Sequence, residues 1–270
     1  MTFIANARMY AVSPEAEGAW RALLGHIAAD AGVDLLYEAY PAPQPLEDLW
    51  RRPDLGCVFM CGYPVALRIA EVTPLASPIP AAGWAGGMPV YRSDLIVRAE
   101  SGFRTLEDTF GGRAGWTVTH SHSGFNAFRH HLLRYRTAER PALYSEMKGT
   151  LVTARRVLDA VRDGEIDVGP LDAYWHLLLA KYRPELTAGV RVVESTDVAP
   201  APAFVASPAL PPGAVDRLRA AFAGAAEAPW FPPLGAALCL TGFARVTRGD
   251  FNETLRWHAA AKAASYPFPA

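Results

Sequence analysis

The feature that most constrains the fold is an alternation, along 270 residues, of short apolar runs with stretches whose apolar residues recur at helical spacing. Residues 56–61, Gly-Cys-Val-Phe-Met-Cys, carry no charge and end at Gly62-Tyr63-Pro64. Such a run reads as a strand buried on both faces, followed by a loop at its carboxyl end. Ser13-Pro14-Glu15 reads as an N-cap, a proline at the first helical position and an acidic first turn; Trp20, Leu23, Leu24 and Ile27 then fall on one helical face. By the same reasoning strands are expected at 7–12, 33–40, 91–98, 113–119, 166–171, 190–193 and 203–207. Helices are expected at 45–52, 125–135, 150–162, from Asp172 onward, at 212–223 and at 251–264. Repeated strand-to-helix units imply an α/β fold with parallel sheets under helices, which binds ligands at the carboxyl ends of its strands.

A chain of this length predicts about two domains. Residues 89–93 and 197–202 each contain proline and lie between complete strand-helix sets, so they are the expected crossovers. They divide the chain into a discontinuous first lobe, 1–90 plus 203–270, and an inserted second lobe, 91–202. With 26 basic against 27 acidic residues, the chain lacks the cationic surplus that nucleic-acid binding requires. The uncharged stretches 72–91 and 228–244 are broken by several Pro and Gly, so no membrane span is expected. Residues 1–10 show no charged leader followed by a long apolar core, so no signal peptide is expected on the chain as written; that reads as cytoplasmic, or periplasmic if a leader was omitted. Cys57 and Cys61, four apart on one strand, would stand about 13 Å apart and beyond disulfide reach.

The most informative segment for chemistry is Thr119-His120-Ser121-His122-Ser123-Gly124-Phe125-Asn126. A strand ending at Thr119 and a helix starting near Gly124 would bring two hydroxyls and unpaired amides to the positive end of a helix, which suits an anion. Plain capping by Ser121 or Ser123 is the alternative. His120, His122, His130 and His131 are close in sequence, but no Cys or carboxylate completes a familiar ligand spacing, so no metal and no cofactor is expected. No Gly-x-Ser-x-Gly elbow is present to activate a serine, and no catalytic residue is assigned. Tyr63 is open between core aromatic and ligand contact. Arg92 is open between pairing a carboxylate and neutralising a ligand, Thr150 between N-cap and anion donor, and Asp172 between helix cap and ligand contact.

Four motifs in order carry a family resemblance: Cys61-Gly62-Tyr63-Pro64 after an apolar strand, Tyr91-Arg92-Ser93 opening the next, Ser121-His122-Ser123-Gly124, and Asp163-Gly164-Glu165-Ile166-Asp167 leading to Leu171-Asp172. Together they resemble the phosphate/phosphonate-type substrate-binding components of ABC transporters, over about residues 8–183. The resemblance implies a two-lobed, type II periplasmic-binding-protein-like α/β fold, in which two parallel or mixed sheets are joined by two crossover strands and a ligand is held between the lobes. It implies that Ser121, Ser123 and the amides around Gly124 grip a tetrahedral oxyanion. Tyr63 and Tyr91 would line the opposite side, and Asp172 would face the ligand's distal group. The implied partners are a small oxyanion and an ABC permease. A leaderless chain also leaves open a biosynthetic enzyme on this fold, of menaquinone- or thiamine-precursor type, or a ligand sensor.

Overall fold

The computed structural model describes residues 2–270. Its chain divides into two compact units, the first formed by residues 2–91 with 200–252 and the second by 92–199 with 253–270. The sequence reading placed residues 253–270 in the first lobe; here they belong to the second unit.

The first unit opens with β1 (Phe3–Asn6), α1 (Pro14–Ala31), β2 (Leu35–Tyr37), α2 (Leu46–Trp50), β3 (Leu55–Met60), α3 (Gly62–Leu67), β4 (Thr73–Pro80) and the short β5 (Val90–Tyr91). The first strand therefore precedes the expected 7–12 segment. Asn6 ends it, because its side-chain oxygen accepts from the Arg8 amide at 2.8 Å while its amide group donates to Glu38 O at 2.6 Å. Ser13 caps α1 as read, its hydroxyl accepting from Ala16 N at 3.2 Å, and Gly32 closes that helix in the left-handed region at φ 58°.

The second unit continues with β6 (Ser93–Arg98), β7 (Arg113–Gly115), α4 (Ala127–Leu132), β8 (Glu146–Lys148), α5 (Ala154–Arg162), β9 (Gly169–Asp172), α6 (Ala173–Tyr182), α7 (Pro184–Thr187) and β10 (Val190–Ser195). The chain then returns through β11 (Ala199–Pro200) to the first unit for β12 (Ala203–Ala206), α8 (Pro212–Gly224), α9 (Phe231–Leu238) and β13 (Leu240–Arg245). It ends with α10 (Asn252–Ala263), all but the first residue of which is in the second unit.

The six-stranded sheet of the first unit has the order β13-β4-β12-β3-β1-β2. Only β1–β2 and β1–β3 are parallel; β12 pairs antiparallel with both β3 and β4, and β13 pairs antiparallel with β4. In the second unit β6 is flanked by β10 and β9, both antiparallel, while β7 and β8 pair in parallel. The sheets are thus mixed, the second of the two forms expected, because the chain's return through β12 brings it back against β3 and β4 in the opposite direction. The strand β4 was not foreseen at all. Pro74, Pro78 and Pro80 lie in it although it is paired on both sides, a placement that proline normally forbids in a central strand.

Each unit ties together its own two ends where the chain crosses. In the first, Ala201 N donates to Pro89 O at 2.9 Å and Ser77 Oγ to Ala201 O at 3.0 Å. In the second, Ser93 N donates to Thr196 Oγ1 at 3.0 Å and Thr196 N returns a bond to Ser93 O at 2.9 Å.

The first unit's core is aromatic. Phe59 on β3 stacks on Phe204 of β12 with centroids 3.8 Å apart, Trp20 of α1 meets Phe59 edge-on at 5.2 Å, and Phe222 of α8 stacks on the Phe204 ring at 5.1 Å. All four side chains are buried. Phe204 touches both helices and the neighbouring strand, so Phe204→Ala should lower stability by about 3–5 kcal/mol. Chemical denaturation would register this as a clear drop in midpoint; a change of a few tenths of a kcal/mol would show that the cluster is not the centre of the core.

Candidate functional site

The residues singled out from sequence fall on both units. Tyr63, at the second position of α3, and Tyr91, at the end of β5, are buried in the first unit. Ser121, Ser123, Gly124, Thr150 and Asp172 belong to the second.

In the second unit the chain leaves β7 at Gly115 and makes a closed turn before entering a helix. Thr117 N donates to Gly124 O at 3.2 Å, Ser121 N to Val118 O at 3.0 Å, and Ser121 Oγ accepts from Gly124 N at 3.0 Å. The expected strand over 113–119 therefore ends four residues early. The helix begins with a π-helical turn, His122–Asn126, closed by Asn126 N donating to Ser121 O at 3.0 Å, and continues without a break through α4 and a 3-10 turn to Tyr135. Ser121 is its N-cap, and the first amides of such a run lack intrahelical acceptors. The turn is fixed from beside it by Ser93 Oγ, which donates to Ser123 O at 2.9 Å.

Glycine at 124 is required by close approach. A Cβ there would lie 2.1 Å from Thr117 Oγ1, 2.8 Å from Thr117 Cγ2 and 2.9 Å from Ser121 Oγ. Two hydroxyl oxygens therefore both lie close to the point that side-chain carbon would occupy.

A second loop runs alongside. Leu151 N donates to Trp116 O at 3.1 Å and Val152 N to Thr117 O at 3.3 Å. Thr150 and Val152 both adopt positive φ, 56° and 67°, which costs a β-branched residue on the order of 1–3 kcal/mol. The expected helix over 150–162 accordingly begins only at Ala154, capped by Thr153 Oγ1, which accepts from Arg156 N at 3.1 Å. Thr150 is exposed and donates its hydroxyl to Gly149 O at 2.8 Å, so it is not the N-cap of that helix.

Asp172 stands opposite Ser93 in the β6–β9 pair and is buried. Its Oδ1 accepts from Tyr174 N at 2.9 Å and Trp175 N at 3.0 Å, so it caps α6 as read. Through Ser93 the cap of α6 and the 121–124 turn are held on one sheet edge.

The cationic side chains near this edge are already engaged. Lys148 and Arg156 both pair with Glu165; Arg156 Nη2 lies 2.7 Å from Glu165 Oε2. Arg129 donates to Asn126 Oδ1 at 3.1 Å and Pro267 O at 3.1 Å, and meets His258 Nδ1 at 2.9 Å. Arg92 Nε lies 3.6 Å from Asp94 Oδ1, the carboxylate pairing weighed from sequence. The donors of the turn itself, the Ser121 and Ser123 hydroxyls and the first amides of the helical run, are neutral.

The histidines hold the end of the chain. His122 stacks on Trp257 at 5.1 Å and His130 on the same ring at 4.8 Å, while Asn126 Nδ2 donates to Thr254 O at 2.9 Å. Phe268 stacks on Trp116 at 5.9 Å. These contacts place residues 253–270 in the second unit, and His131 meets Glu194 at 2.8 Å. No group of three His, Cys, Asp or Glu among the described residues could hold a metal. Of the contributors to the turn, Ser93 and Asn126 stood inside quoted motifs without an assigned role. Thr117 carried no sequence signal.

A family described as the periplasmic substrate-binding protein of ABC phosphonate transporters matches residues 11–251. Among solved structures, the chain is similar to a binding-protein component of an ABC phosphonate transporter from Pseudomonas aeruginosa (15% identity, 98% of this chain and 88% of that one, TM-score 0.79). It is also similar to PhnD1 from Prochlorococcus marinus in complex with methylphosphonate (12% identity, 98% of each chain, TM-score 0.76) and to a Xanthomonas citri protein bound to ATP (18%, 98% of each chain, 0.66). At these identities the likeness is one of fold. No curated protein matches the sequence.

Burial drives the His122 imidazole down to about 3, and the neighbouring His130 adds to the effect. An unfolded histidine titrates near 6.5, so below that pH the unfolded chain binds the proton that the folded chain refuses. Stability from this site is complete above about pH 6.5 and declines by about 1.4 kcal/mol per pH unit as pH falls toward 3. His122→Gln should flatten the fall in melting temperature between pH 6.5 and 4.5; profiles of equal slope for the two proteins would contradict this.

Proposed function

We propose, for a chain that belongs to the phosphonate-type periplasmic substrate-binding family of ABC transporters, that the turn over residues 121–124 binds a small tetrahedral oxyanion, a phosphonate or phosphate. The observation that carries the reading is Ser121. Its Oγ accepts from Gly124 N, which orients the hydroxyl and leaves its own proton to donate outward, at the start of a helical run whose dipole favours negative charge. Ser93, by holding Ser123 O, keeps the second serine of the turn in register with the first. Because the nearby cations already have partners within the protein, the anion is met by the neutral donors of the turn in place of water, with no covalent chemistry. Asp172, at the carboxyl end of β9, is the proposed contact for a donor group at the ligand's other end. That a similar fold carries methylphosphonate in the Prochlorococcus marinus protein supports the ligand class.

The family is periplasmic and works with a membrane permease; among the described residues no helix is long and apolar enough to cross a membrane. We assign this chain the same partnership, with the ligand delivered to an ABC permease.

Thermal shift and calorimetry with methylphosphonate, inorganic phosphate and sulfate test the reading. Ligand at 100 times its Kd should add about 2.7 kcal/mol, a melting shift of roughly 5–10 °C. Ser121→Ala should weaken binding about ten- to hundred-fold, since a hydrogen bond to a charged group contributes about 1.5–3 kcal/mol, while the lost cap costs only about 1 kcal/mol of stability. A Ser121→Ala protein that melts lower and binds as wild type would make the residue a cap and nothing else.

A further inference from the structure

Thr117 has an unmet hydrogen-bonding requirement. Its side chain is 6% exposed, and its Oγ1 is closed to solvent and makes no hydrogen bond among the described residues. A buried hydroxyl without a partner is costly, and native structures avoid it unless something supplies the partner. The backbone of the same residue is fully engaged: its amide donates to Gly124 O and its carbonyl accepts from Val152 N. The backbone of residue 117 is thus pinned from both sides, by the 121–124 turn and by the strained 150–152 loop, so only rotation of the side chain or a shift of the turn can give the hydroxyl a partner. Oγ1 lies 2.1 Å, and Ser121 Oγ 2.9 Å, from the one point that a Cβ on Gly124 would occupy. The orphan hydroxyl and the capping hydroxyl are therefore both close to the same point beside Gly124.

We propose that Thr117 is a third ligand-binding hydroxyl of this turn, one whose hydrogen-bond partner is an oxygen of the bound oxyanion. The proposal rests on the oxyanion reading of the turn and deepens it. A threonine hydroxyl can donate to an anionic oxygen or accept from a protonated one, so it suits an oxyanion that carries a proton, such as a hydrogen phosphonate, as well as one that does not. In the unliganded protein the desolvation cost of the hydroxyl goes uncompensated; binding offsets it. Since Oγ1 is closed off beside Gly124, the contact is made by rotation about the Thr117 Cα–Cβ bond or by a shift of the 119–123 backbone as the ligand seats.

Thr117→Val separates this role from a packing role, because it keeps the shape and removes only the hydroxyl. Removing a buried, unpartnered hydroxyl leaves the folded state as stable or more so. The variant should therefore melt at or above the wild-type temperature without ligand, yet bind methylphosphonate about ten- to hundred-fold more weakly, the range expected for one hydrogen bond to a charged group. Thr117→Ser, which retains the hydroxyl, should recover most of that affinity. Thr117→Val with unchanged melting and wild-type affinity, in an experiment where Ser121→Ala does lose affinity, would overturn the role of Thr117 and leave the oxyanion site standing. A wild-type protein that binds neither methylphosphonate nor inorganic phosphate would overturn both.

Discussion

The close approach of Thr117 to Gly124 is the constraint on which the candidate site depends. One backbone bond, Thr117 N to Gly124 O, closes an eight-residue turn, and it forms only because residue 124 has no side chain to strike Thr117 or Ser121. Once closed, the turn directs Ser121 Oγ at the Gly124 amide, starts the helix with a π turn in place of an α turn, and presents Ser123 O to Ser93. The same threonine supports the neighbouring loop through its carbonyl. Single-turn π elements in otherwise α-helical runs recur at functional sites, where their extra residue re-aims side chains. Here the extra residue lets Asn126 reach both Ser121 O through its amide and Thr254 O through its side chain.

That second bond links the 121–124 turn to residues 253–270. After crossing the first unit, the chain returns to the second and packs Trp257 against two histidines, with Arg129 holding Pro267 O and His258. Both histidines pack on one indole, and burial is the principal reason that protons are disfavoured there. Arg129, Arg156 and Arg92 already have partners within the protein, in Asn126, Glu165 and Asp94, so the proposed anion site relies on dipoles and hydroxyls. Neutral donors fixed in place before binding discriminate by geometry more than by charge, which suits a protein that must hold a ligand reversibly.

Local signals in the sequence were legible where a single residue performs a local task. Ser13 and Asp172 cap the helices they were read to cap, the apolar run ending at Cys61 is a buried strand, and the order of four short motifs identified the fold and the family. Segments whose structure comes from distant partners were not legible. β4 carries three prolines, and only its pairing with β12 and β13 makes a strand of it. Residues 253–270 follow the first unit in sequence, and distant contacts such as those of Trp257, His258 and Phe268 with residues 116–130 assign them elsewhere. Thr117 shows the same limit at the site itself. Nothing local distinguishes it from a strand threonine, because its meaning lies in what is missing around its oxygen.

The central claim, that the 121–124 turn is an anion site built of neutral donors, is tested most directly by a crystal structure of the wild-type protein with methylphosphonate. The account predicts the phosphonate oxygens within hydrogen-bond distance of Ser121 Oγ and the first amides of the helical run, with Lys148, Arg129 and Arg92 still on their present carboxylate, amide and carbonyl partners. A phosphonate bound away from this turn, or one held by an arginine or lysine released from its pair, would contradict it.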